Sequence, residues 1–129
     1  MDHWKKNPEL GIRFSIERAV TDEMSAVSLG SGKLPVLGTP ALVSALEESS
    51  YRCIEAFLNT GYDTVGIHVC IDHLKASAMG EQISCTAELV RIEGRSLTFK
   101  VFAEDGHGLI CHGIHKRFVV NAENFMRKM

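Results

Sequence analysis

The chain has 129 residues, of which 45% are hydrophobic and 23% charged, so its length and composition are those of one globular domain spanning residues 1–129. Its formal net charge is −2, and Lys and Arg are scattered rather than clustered, which gives no electrostatic support for a nucleic-acid partner. No apolar run approaches the roughly 20 residues that cross a bilayer, and no apolar core follows the N-terminal lysines, so we expect neither a membrane span nor a signal peptide.

The first half of the chain predicts a strand, a loop and one long helix. Residues 12–20 alternate loosely between apolar and polar side chains, as a strand does. Residues 29–38 contain three glycines and a proline and predict a loop. A helix is then expected over residues 40–59, with Thr39 as its N-cap and Pro40 at its first position.

The helix has a broad apolar stripe at helical spacing, which indicates that a sheet covers it. The stripe consists of Leu42, Val43, Leu46, Ser50, Cys53, Ile54 and Phe57.

The second half predicts a meander of four strands over residues 64–76, 81–92, 96–104 and 108–120, followed by a loose tail or helical turn. The turns between them are short enough for antiparallel hairpins. In the first of these strands, alternate apolar residues are expected on one face: Val65, Ile67, Val69 and Ile71. The element order therefore predicts an α+β domain in which an antiparallel sheet wraps around one long central α-helix.

Two residues of the helix region have both a structural and a functional interpretation. Glu47 borders the apolar stripe, where it is either a solvated edge carboxylate or a partly desolvated base or nucleophile. Thr39 is either a helix cap or a hydroxyl beside the positive end of the helix, where an oxyanion is stabilised.

The first meander strand contains two further candidates. His73 lies at the end of the alternating face and is either structural or a proton shuttle. Gly66 weakens a strand interior, so it marks a β-bulge, the close approach of a ligand or of another backbone, or both.

A metal site is not expected. His68, Cys70 and Asp72 alternate on one strand, about 6.6 Å apart, which is wide for neighbouring ligands of one ion. His112 and His115 have opposite parity, and no zinc motif is present.

The four cysteines form no CxxC pair and fall within apolar helix and strand patterns: Cys53, Cys70, Cys85 and Cys111. We expect free core thiols in a reducing cytoplasm, although a disulfide between neighbouring strands remains an alternative.

The segments "VLGTPALVSALEESS" (36–50) and "TVGIHVCIDHLKAS" (64–77) resemble the fluoroacetyl-CoA thioesterase-like family of hotdog-fold acyl-CoA thioesterases. The family pattern has a threonine at the helix start, a glutamate eight residues later, then a strand glycine and a histidine. These positions are Thr39, Glu47, Gly66 and His73, and the resemblance covers roughly residues 10–120.

The resemblance implies hydrolysis of a small or medium acyl-CoA to free acid and CoA, without a cofactor, by a homodimer or tetramer with active sites at the subunit interface. Thr39, Glu47 and His73 are then the catalytic residues, and Gly66 lies beside the thioester. Two alternatives are a non-catalytic acyl-CoA-binding module and a dehydratase or hydratase. The latter is disfavoured because the helix contains no histidine.

The name-giving relative closes its pocket with phenylalanines before the helix, whereas residues 28–38 contain no aromatic residue, so we expect a different acyl group. Thr39 and Glu47 are also about 12 Å apart along the helix axis. Either the site combines two subunits, or Thr39 acts on the surrounding network. Basic residues near strand ends are candidates for binding the CoA phosphates: Lys75, Arg91, Arg95, Lys116 and Arg117.

Overall fold

The structure is a computed structural model that describes residues 3–129, and it contains the helix and strands expected from the sequence. In chain order the elements are β1 (Arg13–Ala19), a 3-10 turn (Asp22–Met24), α1 (Thr39–Glu55), β2 (Tyr62–His73), β3 (Gln82–Glu93), β4 (Ser96–Asp105), β5 (Gly108–Asn121) and α2 (Ala122–Arg127). The strand bounds differ from the predicted ones by a few residues. The C-terminal segment is the helical turn that was one of its two predicted forms.

The five strands form one antiparallel sheet in the order β1-β3-β4-β5-β2. Helix α1 packs across one face of this sheet, and its buried residues Leu42, Leu46 and Ile54 meet fully buried sheet residues such as Leu89 and Phe99. Each such side chain contributes about 1.5–3 kcal/mol when it leaves water. The predicted α+β architecture is confirmed, and β2 lies at one edge of the sheet.

Helix α1 begins and ends differently from the prediction. Its N-cap is Gly38, so Thr39 is the first helical residue rather than the cap, and no side-chain cap bond is made. It ends at Glu55 instead of residue 59, because the next residues leave the helix to meet the N-terminal segment. There the Phe57 carbonyl accepts the Lys5 N–H at 2.8 Å.

Strand β2 contains a bulge that divides it into two halves. Its register on β5 shifts between Gly66 and His68. Val65 pairs with an exposed residue of β5, whereas Val69 pairs with the buried His115. Because paired residues share a face, the expected single apolar face is wrong. The interpretation of Gly66 as a bulge position is confirmed.

All four cysteines are free. Cys53, Cys85 and Cys111 are buried, and burial raises the thiol pKa to about 11, 12 and 11, respectively. Cys70 is exposed instead of buried, because it lies on the edge strand and pairs with the partly exposed Ile114 on the face away from the core.

Residues 3–129 contain no candidate for a metal site or a membrane span. No three His, Cys, Asp or Glu side chains in this range are grouped as metal ligands. No helix within it has the length and apolar character needed to cross a bilayer.

Candidate active site

The hydroxyl of Thr39 and the imidazole of His73 form a hydrogen bond, with Thr39 Oγ1 2.8 Å from His73 Nδ1. Thr39 is placed by the first turn of α1, and His73 is the last residue of β2. Because Gly38 is the N-cap, the hydroxyl is not engaged in capping the helix and turns to the imidazole instead.

The other imidazole nitrogen, His73 Nε2, is shielded from water and has no hydrogen-bond partner within residues 3–129. A buried polar atom without a partner costs about 1–3 kcal/mol. It is therefore a place where a ligand or another polypeptide chain gains a hydrogen bond. Since Nδ1 is held by Thr39, the ring orientation is fixed and Nε2 is the nitrogen left for a further partner.

Thr39 and His73 line a cleft of about 290 Å³ between the start of α1, the end of β2 and the preceding loop. The loop contributes Ala26, Ser31 and Val36, and Lys75 lies at the cleft with its Nζ 3.7 Å from Asp105. The lining has no Phe, Tyr or Trp side chain, and one cation is present at its rim.

Glu47 lies in a second cleft, of about 430 Å³, where its side chain is 40% exposed. Its Oε2 atom is 4.0 Å from Arg117 Nη1 and 4.0 Å from His115 Nε2. Both distances are too long for hydrogen bonds, so the guanidinium attracts the carboxylate through space without binding it. The carboxylate is thus oriented by charge and remains available to a substrate.

Gly66 makes room for this carboxylate. A Cβ atom at position 66 would lie 2.6 Å from Glu47 Oε2, 3.2 Å from His115 Cε1 and 3.3 Å from Arg117 Nη1. The close approach at this glycine comes from the side chain of Glu47 rather than from another backbone, and the approach of a ligand stays a prediction.

Arg117 is 7% exposed and is held by three acceptors. Its Nε donates to Thr64 Oγ1 at 2.8 Å, its Nη2 to the Thr64 carbonyl at 2.9 Å, and its Nη1 to His115 Nε2 at 3.1 Å. Burial lowers the pKa of Arg117, but a guanidinium stays charged in proteins. Arg117 also lines the cleft that contains Glu47, so its binding of a CoA phosphate stays a prediction.

His115 is 1% exposed, and its Nδ1 lies 2.8 Å from the His68 carbonyl. Burial lowers its pKa, the nearby Arg117 adds to this effect, and the hydrogen bond to His68 opposes it. Burial and the arginine therefore favour the neutral imidazole, so the approach of His115 to Glu47 is not an ion pair.

The roles of Arg117 and His115 beside Glu47 were not predicted from the sequence, although a signal was present. They are alternate residues of β5, on the face that also carries Cys111 and Val119. Two polar side chains at inward positions of a strand indicate a buried polar network.

The structure thus forms two pairs, Thr39 with His73 and Glu47 with Gly66, in two clefts of one chain. One pair offers an oriented imidazole, and the other a carboxylate beside a fixed guanidinium. Chemically, an imidazole of this kind can act as a general acid or base, and a carboxylate of this kind as a base or a nucleophile.

Known proteins resemble this chain in sequence and fold. A family model described as fluoroacetyl-CoA-specific thioesterase (FlK) matches residues 20–123. The chain is 34% identical over 94 residues to the fluoroacetyl-CoA thioesterase of Streptantibioticus cattleyicolor, covering 73% of this chain and 68% of that protein. A crystal structure of a mutant of the fluoroacetyl-CoA-specific thioesterase FlK gives a TM-score of 0.91 at 29% identity over 96% of both chains. A hot-dog-like protein from Thermanaerovibrio acidaminovorans, at 18% identity, shares the fold with a TM-score of 0.85 over 92% of this chain and 88% of that one.

The fold and these relationships define a hotdog-fold thioester hydrolase of the acyl-CoA thioesterase class. Within this class, the chain belongs to the family of fluoroacetyl-CoA-specific thioesterases, which confirms the resemblance found in the sequence.

Proposed function

We propose that the protein hydrolyses a small or medium acyl-CoA to the free acid and CoA, with Thr39, Glu47 and His73 as catalytic residues and Gly66 beside the thioester. The observation that carries this assignment is the hydrogen bond between Thr39 and His73, which fixes a histidine with a free buried nitrogen. These residues stand at the positions that the family resemblance picks out in the sequence.

Glu47 is the general base or the nucleophile of the reaction. It either removes a proton from the attacking water or attacks the thioester carbonyl carbon itself, giving a mixed anhydride as the C–S bond breaks and CoA leaves as a thiolate. Water then cleaves the anhydride and regenerates the carboxylate. A single turnover in ¹⁸O-labelled water tests for the anhydride. Label in Glu47 supports an anhydride that water opens at the glutamyl carbon, whereas label in the acid product alone shows that water attacked the substrate carbonyl carbon, either of the thioester or of the anhydride.

His73 is the residue that transfers the proton, and Thr39 holds its ring in place. With Nδ1 held by the Thr39 hydroxyl, Nε2 is free to protonate the departing thiolate or to orient the attacking water. We assign the developing oxyanion to backbone N–H groups near Gly66 or at the start of α1, where the helix dipole is positive.

We further propose that the working unit is a homodimer with sites shared between subunits. Gly66 and His73 are seven residues apart in β2, about 23 Å along a strand, so they cannot reach one carbonyl within a chain. Strand β2 is an edge strand that is exposed from Gly66 to Cys70. Antiparallel pairing of two β2 strands around a two-fold axis near residues 69–70 sets Gly66 opposite the partner subunit's His73. A tetramer would add a second, separate interface.

The acyl group proposed here is not fluoroacetyl. The cleft beside Thr39 is lined on its loop side by Ala26, Ser31, Val36 and Leu37, without an aromatic side chain. A loop side of small and aliphatic residues discriminates by size and shape rather than by contact of an aromatic ring with a polar fluorine. Lys75, at the rim of the same cleft, is the best-placed cation for a CoA phosphate.

The first test measures CoA release from short, branched, aromatic and long acyl-CoAs by the wild type, Glu47→Gln and His73→Ala. Turnover that falls in both variants supports the proposal and identifies the acyl class. Binding without turnover points instead to the non-catalytic module. Hydration of an enoyl-CoA without CoA release points to the hydratase alternative.

The second test mixes the two inactive variants after confirming the dimer by light scattering. If each site takes Glu47 and His73 from different subunits, every mixed dimer has one intact site, and random exchange restores about a quarter of wild-type activity. If both residues act from one subunit, no mixed dimer has an intact site and no activity returns.

We place the protein in a reducing, cytoplasmic compartment. Four free thiols, three of them buried, fit such an environment. Thiol titration of the protein isolated from its native host under alkylating conditions tests this assignment, since a disulfide would contradict it.

A further inference from the structure

His115 is a buried residue whose hydrogen bonds determine its chemical form. Its Nε2 faces Arg117 Nη1, and because a guanidinium only donates, Nε2 must be the acceptor. The proton therefore sits on Nδ1, which donates to the His68 carbonyl at 2.8 Å. The geometry alone specifies a neutral imidazole with a single tautomer.

Resting on the proposed function, we infer that His115 is a positioning residue that orients the Arg117 guanidinium beside Glu47 and ties it to the bulge in β2. His115 reaches no reacting atom in this arrangement. It acts through Arg117, whose Nη1 makes the bond to His115 and is also the nitrogen 4.0 Å from Glu47 Oε2.

The network leaves little freedom to the guanidinium. Thr64 holds one side through its hydroxyl and its carbonyl, and His115 holds Nη1. Of the five N–H groups, one on Nη1 and one on Nη2 remain for the cleft that contains Glu47. If the bond to His115 is removed, the guanidinium can pivot about Thr64 and Nη1 loses its fixed position.

The surroundings of His115 keep its imidazole neutral, with the proton on Nδ1, around neutral pH. Its charged and titratable neighbours are Arg117 on β5, Glu47 on α1 and His68 on β2, and the ring of Phe99 on β4 stacks on it at 6.5 Å between centroids. Arg117 and burial disfavour a proton on Nε2, while Glu47 is exposed enough for water to weaken its pull.

Two variants separate the two hydrogen bonds of His115. The amide oxygen of His115→Gln reaches the place of Nε2 and can accept from Arg117, whereas the amide of His115→Asn reaches only the place of Nδ1. His112→Asn, an exposed residue on the opposite face of β5, is the matched control. We expect kcat to stay within about threefold of wild type in the Gln variant and to fall at least about tenfold in the Asn variant, as for a lost hydrogen bond to a charged group.

A double-mutant cycle with Arg117→Lys tests the route of the effect. If His115 acts through the guanidinium, Asn and Gln at position 115 differ when Arg117 is present but have equal kcat when combined with Arg117→Lys. Equal kcat for both variants with Arg117 present, or the same difference in both backgrounds, would overturn the proposal. A fall in thermal stability without a fall in kcat per folded enzyme would show a structural role only.

Nitrogen-15 NMR of the histidine ring decides the tautomer independently of turnover. A neutral ring protonated at Nδ1 supports the proposal, and a proton on Nε2 at neutral pH overturns it even if the enzyme is active. If the wild type hydrolyses no acyl-CoA, the proposed function fails, while the NMR result still decides the arrangement around Arg117.

Discussion

The carboxylate of Glu47 occupies the space that any side chain at position 66 would need, since a Cβ there would stand 2.6 Å from Glu47 Oε2. The φ angle of Gly66 is not in the left-handed region, so its backbone does not require glycine. Glycine at this position therefore leaves room for the Glu47 carboxylate, and it is not needed for the backbone conformation of the strand.

Gly66→Ala is expected to impair catalysis while leaving the fold intact. The methyl group displaces the Glu47 carboxylate, and a displacement of about 1 Å in a reacting group lowers kcat/KM about 100-fold. The melting temperature should fall only modestly, since the end of the Glu47 side chain can move aside, while the buried His115 and Arg117, 3.2 and 3.3 Å from the added Cβ, must each shift slightly. Steady-state kinetics and thermal unfolding check both expectations. Gly106→Ala, where a Cβ meets nothing within 4 Å, is the control. Loss of the folded state in Gly66→Ala would contradict this account.

Thr39→Ala is expected to lower kcat by about tenfold to a hundredfold with less than about 0.5 kcal/mol of destabilisation. Thr39 makes no capping bond, so the helix loses little, whereas His73 loses the group that fixes its ring. Thr39→Ser retains the hydroxyl and should recover most of the activity. Urea unfolding measured beside kcat separates the two effects. If Thr39→Ala lowers the free energy of unfolding by more than about 1 kcal/mol, Thr39 caps the helix after all, which would contradict this account.

Arg117→Lys keeps the positive charge and yet should lower both stability and activity. A single ammonium cannot satisfy the Thr64 hydroxyl, the Thr64 carbonyl and His115 together. We expect the free energy of unfolding to fall by about 2 kcal/mol. Arg18→Lys, in a partly exposed ion pair with Glu48, should change it by less than about 1 kcal/mol. Equal effects of the two substitutions in urea titrations would show that charge alone matters at position 117.

The lowered pKa of His115 predicts a pH dependence of stability. Below about pH 6.5 the unfolded chain protonates this histidine while the folded chain resists protonation, so the unfolded state binds more protons. The contribution of His115 is complete above pH 6.5 and is lost as the pH falls toward the lower pKa of the folded state. Urea unfolding between pH 5 and 7 should show stability rising with pH more steeply in the wild type than in His115→Gln. Identical slopes would place the pH dependence elsewhere.

Much of the fold could be predicted because its signals are local. The buried face of α1 follows from the spacing of Leu42, Leu46, Cys53 and Ile54, and the last four strands follow from alternation and short turns. The end of α1 was missed because the contacts that end it come from the N-terminal segment, far away in the sequence.

The site was predictable in part. Thr39 and His73 are 34 residues apart, so no spacing rule shows that their side chains meet. The roles of His115 and Arg117 depend on the pairing of β2 with β5, which sets Arg117 opposite Gly66. This register can be derived only when the position of the bulge is known. The one extra residue does not show in the alternation of apolar and polar residues along the sequence of β2.

The bulge also brings Gly66 and His73 to the same side of the sheet. Gly66 and His73 are separated by an odd number of residues, so an unbroken strand would turn them to opposite sides of the sheet. The inserted residue lets Gly66 pair with Arg117 and His73 with Cys111, which are both buried on the side of the helix. Strand length between these positions is therefore under a stricter constraint than the identity of the residues there. A one-residue deletion within 67–72 would do more harm than most substitutions in the same segment.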